Sequence, residues 1–307
     1  MSSGESTTDR LTQSDRLTPA EVTEVLALAR LAGDTDGADP FDEHTLLRLR
    51  DPQAAARHLS THAPDGTLTG YAHLDTTDPT SGVGVELVVR PGFRRRGTGR
   101  ALARGVLAAT PGPVRAWAHG DHPAAAALAV DLGFARARVL WQLRRSLTDP
   151  VSEPHLPAGA TLRSFRPGED DDAWLALNAR AFAGHPEQGR WTTADLRARL
   201  AEPWFDPAGF LLAVDAAGRL LGFHWTKVHE RPGSARIGEV YVVGVDPDAH
   251  GGGLGRALTT AGLAYLRDRR GLDRVMLYVD ESNTAAVSLY ERLGFARWCG
   301  HVNYHLG

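Results

Sequence analysis

Between Glu239 and Leu258 the sequence EVYVVGVDPDAHGGGLGRAL sets a carboxylate at the head of a β-branched run, then an Asp246-Pro247 exit, a glycine turn and the start of an alanine- and leucine-rich helix. Strand, glycine turn and helix in that order gather unpaired backbone N–H groups and the positive end of a helix dipole at one point, which suits a pyrophosphate. The turn is neither of the two commonest phosphate loops. No Gly-Lys-Ser/Thr follows its last glycine, and it lacks the glycine order and the distant acidic residue of a dinucleotide fold. Two side chains nearby invite chemistry. Glu239 can act as a proton acceptor, or it can be an edge-of-sheet carboxylate paired with an arginine. Lys227 is the sole lysine of a chain whose other cations are arginines. Either a compact ammonium is required there or it is a chance survivor on a solvated strand, and composition leaves these even.

The elements that position these groups fill a chain of 307 residues, long for one domain and suited to two of about 150 residues each. A hydrophobic content of 42% is enough for two cores, and a net charge of -3 argues against a nucleic-acid coat protein. One cysteine, Cys299, excludes an intrachain disulfide framework and a cysteine metal site, so a reducing compartment and a cytoplasmic protein are expected. Residues 1–16 are polar and read as a disordered tail rather than a signal peptide. No apolar run approaches the ~20 residues that span a bilayer. The 13 histidines show no metal-ligand spacing, so no metal is expected. The aromatic residues around His224-Trp225 read as core. A monomer acting on a small molecule, without nucleic-acid or membrane partners, is the expectation.

Thr18-Pro19-Ala20-Glu21 predicts a capped helix start, followed by a loop from Gly33 to Pro40 and a short helix from Glu43 to Leu49. A hairpin around Pro64-Asp65-Gly66, a strand from Gly82 to Val89, the turn Arg94-Arg95-Arg96-Gly97-Thr98-Gly99, a strand, an alanine-rich helix and a last strand complete the first half. Residues 148–160, with three prolines, read as a linker between an N-terminal domain at 17–147 and a C-terminal one at 161–307. The same order then returns. Gly97 matches Gly253 at a shift of 253 − 97 = 156, and Leu132-Gly133-Phe134 matches Leu293-Gly294-Phe295 at 294 − 133 = 161. Two landmarks in order at nearly equal shifts indicate a tandem duplication. Each copy reads as α/β of the α+β type, with a mixed, mostly antiparallel central sheet flanked by helices.

The glycine turn, His250-Gly251-Gly252-Gly253-Leu254-Gly255, resembles the acetyl-CoA loop Gln/Arg-x-x-Gly-x-Gly/Ala of the GNAT acetyltransferase superfamily, with His250 departing at the first position. The run from Asn283 to Phe295, NTAAVSLYERLGF, resembles the GNAT segment whose Asn contacts the pantetheine arm and whose Tyr lies near the thioester sulfur. The resemblance implies acetyl-CoA on Val243, Gly244, Val245, His250, Gly251, Gly252, Gly253, Leu254, Gly255, Arg256, Asn283, Thr284, Ala285, Ala286, Val287 and Ser288. It makes Tyr290 the acid for the departing thiolate, and it favours Glu239 as the base acting directly or through water. The N–H groups of Val243, Gly244 and Val245 are candidate donors to the thioester carbonyl, with a bulge expected at Gly244.

The copies then differ. At the 161 shift Tyr290 falls on Ala129 and Asn283 on His122, so the first copy lacks the phenol, although Glu86 lies near the place of Glu239. Catalysis is expected in the second copy. In the first, Leu87, Val88, Val89, Arg95, Arg96, Gly97, Thr98, Gly99 and Arg100 would hold a second acetyl-CoA, the arginines neutralising its phosphates.

The strings HWTKVH, GEVYVVGVDP, LYVDESNTAAVSLYERLGF and His185-Pro186-Glu187-Gln188-Gly189 resemble the mycothiol synthase family of actinobacterial tandem GNAT enzymes over nearly the whole chain. That resemblance implies acetylation of the cysteinyl amine of a cysteine–glucosamine–inositol conjugate, with Glu43, Glu187, Lys227, Glu239 and Tyr278 on the acceptor. Two other readings stand beside it: a tandem GNAT enzyme for another amine, such as an aminoglycoside or a protein N-terminus, and a non-catalytic acyl-CoA sensor.

Overall fold

Thr18 opens the first helix with the expected capping box: its hydroxyl accepts from the Glu21 N–H, and the Glu21 carboxylate accepts from the Thr18 N–H at 2.7 Å. The computed structural model describes residues 10–51, 54, 56–77, 82–185, 188–230 and 235–307. By packing, the chain divides into two compact units, Met1–Leu140 with Cys299–Gly307, and Trp141–Trp298.

The first unit runs β1 (Arg10–Ser14), α1 (Pro19–Asp36), α2 (Glu43–Arg50), β2 (Ala56–His62), β3 (Leu68–Asp75), β4 (Val83–Val89), α3 (Thr98–Ala109), β5 (Val114–Ala118), α4 (Pro123–Asp131) and the start of β6 (Ala135–Ser146). Its strands pair in the order β1-β2-β3-β4-β5, antiparallel except for β4 with β5. Two expectations are corrected here. Residues 10–14, placed in a disordered tail, pair with β2 from Arg10↔His62 to Ser14↔His58. The loop expected from Gly33 begins later, because α1 continues to Asp36 and stops at Gly37, whose φ of 71° is the left-handed cap that favours glycine.

The second unit contains β7 (Thr161–Ser164), α5 (Asp171–Ala181), α6 (Thr193–Leu200), β8 (Phe210–Val214), β9 (Leu220–His229), β10 (Ile237–Val245), α7 (Leu254–Asp268), β11 (Arg274–Asp280), α8 (Thr284–Arg292) and the start of β12 (Ala296–Leu306). Strand order is β7-β8-β9-β10-β11 with β6 beside β11, and only β10 with β11 is recorded as parallel within the registered pairs of this unit. Each unit is thus mixed and mostly antiparallel. Each also takes a strand from the other copy's sequence: residues 302–306 pair with β5 in the first unit, and residues 141–146 of β6 belong to the second. The division therefore differs from a cut at 148–160. That stretch is irregular, yet Val151 packs on the second unit's core and Leu156 on Leu254 and Leu258.

Apolar residues cover both faces of the second sheet. Val240, Leu277 and Val279 pack against Leu263 and Leu266 of α7 and Val287 of α8. On the other face Trp225 and Val242 pack against Trp174 of α5 and Leu196 of α6. Phe210 stacks on Trp225 at 4.3 Å between centroids and on Phe165 at 4.2 Å. Such pairs contribute about 0.5–1.5 kcal/mol each beyond their buried area and make this face stiff.

Candidate active site

The ladder between β10 and β11 is short. Parallel pairing is recorded at Gly238↔Val275, Glu239↔Met276 and Val240↔Leu277. At that point β10 bulges: Val240 pairs with Thr226 of β9 and Val242 with Trp225, leaving Tyr241 as the extra residue. The bulge was expected at Gly244, but there the ladder with β9 is regular, Gly244↔Phe223. Glycine is needed at 244 for a different reason, since a Cβ would meet the Phe223 ring at 2.6 Å. Backbone direction narrows the three expected carbonyl donors to two. The Asp246 N–H donates to the Leu221 carbonyl on β9 at 2.8 Å. Because N–H groups alternate along a strand, Gly244 also points toward β9, and Val243 and Val245 point to the other edge.

Glu239 and Lys227 are register partners on β10 and β9, so both side chains lie on the face with Trp225. Both are buried, Glu239 at 6% and Lys227 at 9% relative exposure. The Lys227 ammonium sits 4.4 Å from the Trp204 ring centroid and 5.0 Å from that of Tyr241, so its charge is held by aromatic faces. The Glu239 carboxylate is 2.6 Å from Nε2 of His229. Burial pushes the Glu239 pKa up, but the hydrogen bond with His229 and the charges of His229 and Lys227 outweigh it, and the net shift is below the ordinary glutamate value. His229 escaped the sequence reading. Its signal was available, two residues beyond Lys227 on the same strand and so on the same face. Tyr278 follows Met276 by two on β11, which puts it on that face too; it is 37% exposed, and its hydroxyl accepts from the Gln142 amide at 2.7 Å.

Tyr290 lies on α8 and packs against the α7–α8 core together with Val243. Glu239 and Tyr290 therefore approach the short ladder from opposite faces of the sheet. The phenol is half-buried against Phe295, and burial pushes its pKa up to about 12. Among the described residues its hydroxyl has no protein hydrogen-bond partner.

The glycine turn ends at Gly253, which precedes α7 with φ 78° and supplies no side-chain cap. The N–H groups of Leu254, Gly255 and Arg256 therefore precede the first intrahelical bond, Ala257 N–H to Gly253 carbonyl, and remain donors. This arrangement fits a phosphate-bearing ligand. Gly251 also takes a positive φ, 92°, while His250 turns back so that its ring lies 3.2 Å from the Val245 carbonyl. Gly252 lies beside Pro157. At the head of α8 the Asn283 side chain accepts from the Ala286 N–H at 3.1 Å, so its carbonyl caps the helix. Thr284, Ala285 and Ser288 occupy that first part of α8, with Ala286 and Val287 on its core side.

The first unit repeats the frame with other groups. Gly97, at φ 92°, precedes an uncapped α3, and Thr98, Gly99 and Arg100 form its first turn. The Arg90 N–H donates to Thr69, so alternation leaves the N–H groups of Leu87 and Val89 at the open edge and turns Val88 toward β3. Arg94 is engaged by Asp36 at 2.7 Å, which removes it from the expected phosphate cluster, while Arg95 and Arg96 are solvent-exposed. Arg100 pairs with Asp131 at 3.0 Å. The β4–β5 ladder also stops after three pairs, at Val85↔Ala116, but β3 and β4 pair without a shift from Gly70↔Val89 to Asp75↔Gly84. Counting back from the end of each ladder, the counterpart of Glu239 is Gly84, not Glu86. Glu86 is buried and bonded to His119 at 2.6 Å and to the Asp42 N–H at 3.0 Å. Ala129 is buried among Val302 and Tyr304 where the phenol would stand.

Glu43 is the first residue of α2 in the first unit, and Glu187 lies outside the described residues. No group of three or more His, Cys, Asp and Glu among the described residues is placed to hold a metal ion, and no described helix is long and apolar enough to cross a membrane.

A profile of the Acetyltransferase (GNAT) family matches residues 25–134 and again 172–295. The chain is 76% identical, over the full length of both, to a mycothiol acetyltransferase of Salinispora tropica. A GCN5-related N-acetyltransferase of Sphaerobacter thermophilus superposes with a TM-score of 0.69 at 27% identity, covering 97% of this chain and 96% of that one. A tandem GNAT protein of clavulanic acid biosynthesis gives 0.74 at 24% identity over 97% and 98%, which speaks for the fold. Two matches in one chain, each with its own uncapped helix after a glycine turn, agree with the duplication read from the sequence. The chain thus belongs to the GNAT family of acetyl-CoA-dependent N-acetyltransferases, as a tandem member of its mycothiol acetyltransferase branch.

Proposed function

We infer that the chain transfers acetyl from acetyl-CoA to the cysteinyl amine of the cysteine–glucosamine–inositol conjugate, yielding mycothiol, and that the second unit does the chemistry. The observation that carries the reading is the short β10–β11 ladder, with a bulge beside it, a buried carboxylate on one face and a half-buried phenol on the other. The names of the relatives supply the acceptor.

Acetyl-CoA supplies an activated acetyl thioester. The uncapped N–H groups of Leu254, Gly255 and Arg256 would hold its pyrophosphate, and those of Val243 and Val245 its carbonyl oxygen. Glu239, ionised at neutral pH, takes the proton that the acceptor amine must lose, directly or through one water. His229 holds that carboxylate in one orientation and shares its charge. Tyr290, protonated up to about pH 12, gives its hydroxyl proton to the departing sulfur. Lys227 and Tyr278 stand on the face of Glu239 and offer donors to the acceptor's hydroxyls. The first unit has the phosphate-binding helix start but neither a counterpart of Glu239 nor a phenol, which supports ligand binding without transfer there.

The test is to incubate the protein with acetyl-CoA and the purified conjugate, following CoA thiol release and the mass of the product. Equal rates of CoA release and of acetylated conjugate are expected. CoA release with no acetylated conjugate, or transfer to unrelated amines at the same kcat/KM, removes the assignment.

A further inference from the structure

The face that carries Glu239 continues past Tyr278 to a group that the proposed chemistry does not use. Gln142 of β6 donates to the Tyr278 hydroxyl at 2.7 Å and accepts from Nε of Arg144 at 2.8 Å. The Arg144 guanidinium lies 4.2 Å from the centroid of Trp298 on β12. All four residues belong to the second unit. Trp298 is 63% exposed, the most exposed aromatic among the large hydrophobics left at the described surface. The other tryptophans of this unit are buried or half-buried. An indole left in water, with a guanidinium on its ring, keeps apolar area that a ligand can bury.

We propose that Trp298, tethered to the catalytic face through Arg144, Gln142 and Tyr278, is a stacking platform for a ring of a polyhydroxylated acceptor. This deepens the function inferred above and rests on it. A pyranose or cyclitol ring has a C–H face that packs on an indole, while its equatorial hydroxyls project to the sides. Arg144 stacked against the indole fixes the plane of that ring. The span also fits. From β10 across β11 and β6 to β12 is three strand spacings, about 14 Å, so an acceptor whose amine meets Glu239 reaches Trp298 only if it carries rings beyond that amine. The strip would then select for the glycosidic part of the substrate rather than for the amine.

The experiment compares wild type, Trp298→Ala and Trp298→Phe on two acceptors, the cysteine–glucosamine–inositol conjugate and cysteine amide, which has the same reacting group and no ring. With Trp298→Ala, KM for the conjugate should rise about tenfold, the scale of one lost ring contact, with kcat and the KM for acetyl-CoA unchanged. Rates on cysteine amide should match wild type, and Trp298→Phe should recover most of the lost affinity. An unchanged KM for the conjugate overturns the platform, as does an equal loss on cysteine amide. Sedimentation showing self-association in wild type that Trp298→Ala abolishes, with KM unchanged, would assign the indole to a protein contact instead. Should wild type fail to acetylate the conjugate, the inferred function falls on its own. The platform is then read from binding: conjugate-induced quenching of tryptophan fluorescence in wild type but not in Trp298→Ala upholds it, and identical responses reject it.

Discussion

The two units share a frame and differ at the positions to which the proposed proton transfers are assigned. In both, the strand that leads to the glycine turn carries a three-pair parallel ladder that stops partway along it, and both present an uncapped helix start behind a glycine of positive φ. In the second unit the ladder ends at a bulge, with Glu239 one position earlier and Tyr290 on α8. In the first, β4 runs without a bulge, glycine replaces the carboxylate, alanine replaces the phenol, and Glu86 is tied to His119 and the Asp42 backbone. Phosphate binding needs only backbone N–H groups and survives wide sequence change. Acid–base chemistry needs particular side chains at particular ladder positions, and those of the proposed function are present in the second unit alone.

The sharpest way to break this contrast is to treat the two carboxylates alike. Glu239→Gln should lower kcat about 10³-fold, in the range general-base removal produces, with acetyl-CoA binding retained by calorimetry. Glu86→Gln should leave kcat within about twofold and instead lower the midpoint of thermal unfolding, because it weakens a buried carboxylate acceptor worth about 1–3 kcal/mol. Equal losses of activity in both would show that the first unit also takes part in transfer.

Tyr290→Phe should lower kcat about 10²-fold without changing CoA affinity. The pH dependence sharpens its role. Burial holds the phenol pKa at about 12, so the alkaline limb of kcat below that pH belongs to another group and should be the same in wild type and variant. On the acid side, the lowered Glu239 pKa keeps the base ionised through pH 4.5; its stabilising interaction with His229 is present above that value and is lost only as pH falls through the lower, folded-state pKa. A limb between pH 6 and 8 would then report the acceptor ammonium, and it should persist in His229→Gln.

Loss of one bound CoA per chain is expected from Gly97→Glu and from Gly253→Glu. Each puts a negative side chain at a phosphate cradle and at a φ, 92° or 78°, that disfavours any side chain. Titration of wild type should give two CoA per chain and each variant one, with turnover lost only in Gly253→Glu. A stoichiometry of one in wild type would confine the donor to a single unit.

The smallest effect belongs to Arg95, which occupies φ 63° where the repeat has Gly251 at φ 92°. Arg95→Gly should relieve about 1 kcal/mol of left-handed strain, less the added chain entropy of glycine, and leave turnover unchanged. Weakened CoA binding in the first unit alone would show that the arginine is kept for phosphate charge.

Much of this was legible in the chain. The capping box at Thr18, the duplication and the uncapped glycine turns follow from local spacing, because helix caps and left-handed glycines are set by a few adjacent residues. What escaped depended on neighbours far apart in sequence. Residues 10–14 form a strand because β2, some 45 residues on, offers an edge. Gly244 is glycine because of the Phe223 ring, not because of a bulge, and the bulge is at Tyr241.

The sequence alone therefore determined the family frame and the repeat, since each is written in short contiguous motifs. Only the tertiary structure decided that Glu239 binds His229, that Gly84 rather than Glu86 is its counterpart, and that Tyr290 stands on the opposite face of the sheet from the base. Those facts are matters of strand register and packing. A one-residue shift between paired strands reverses every side chain, and no local pattern records it.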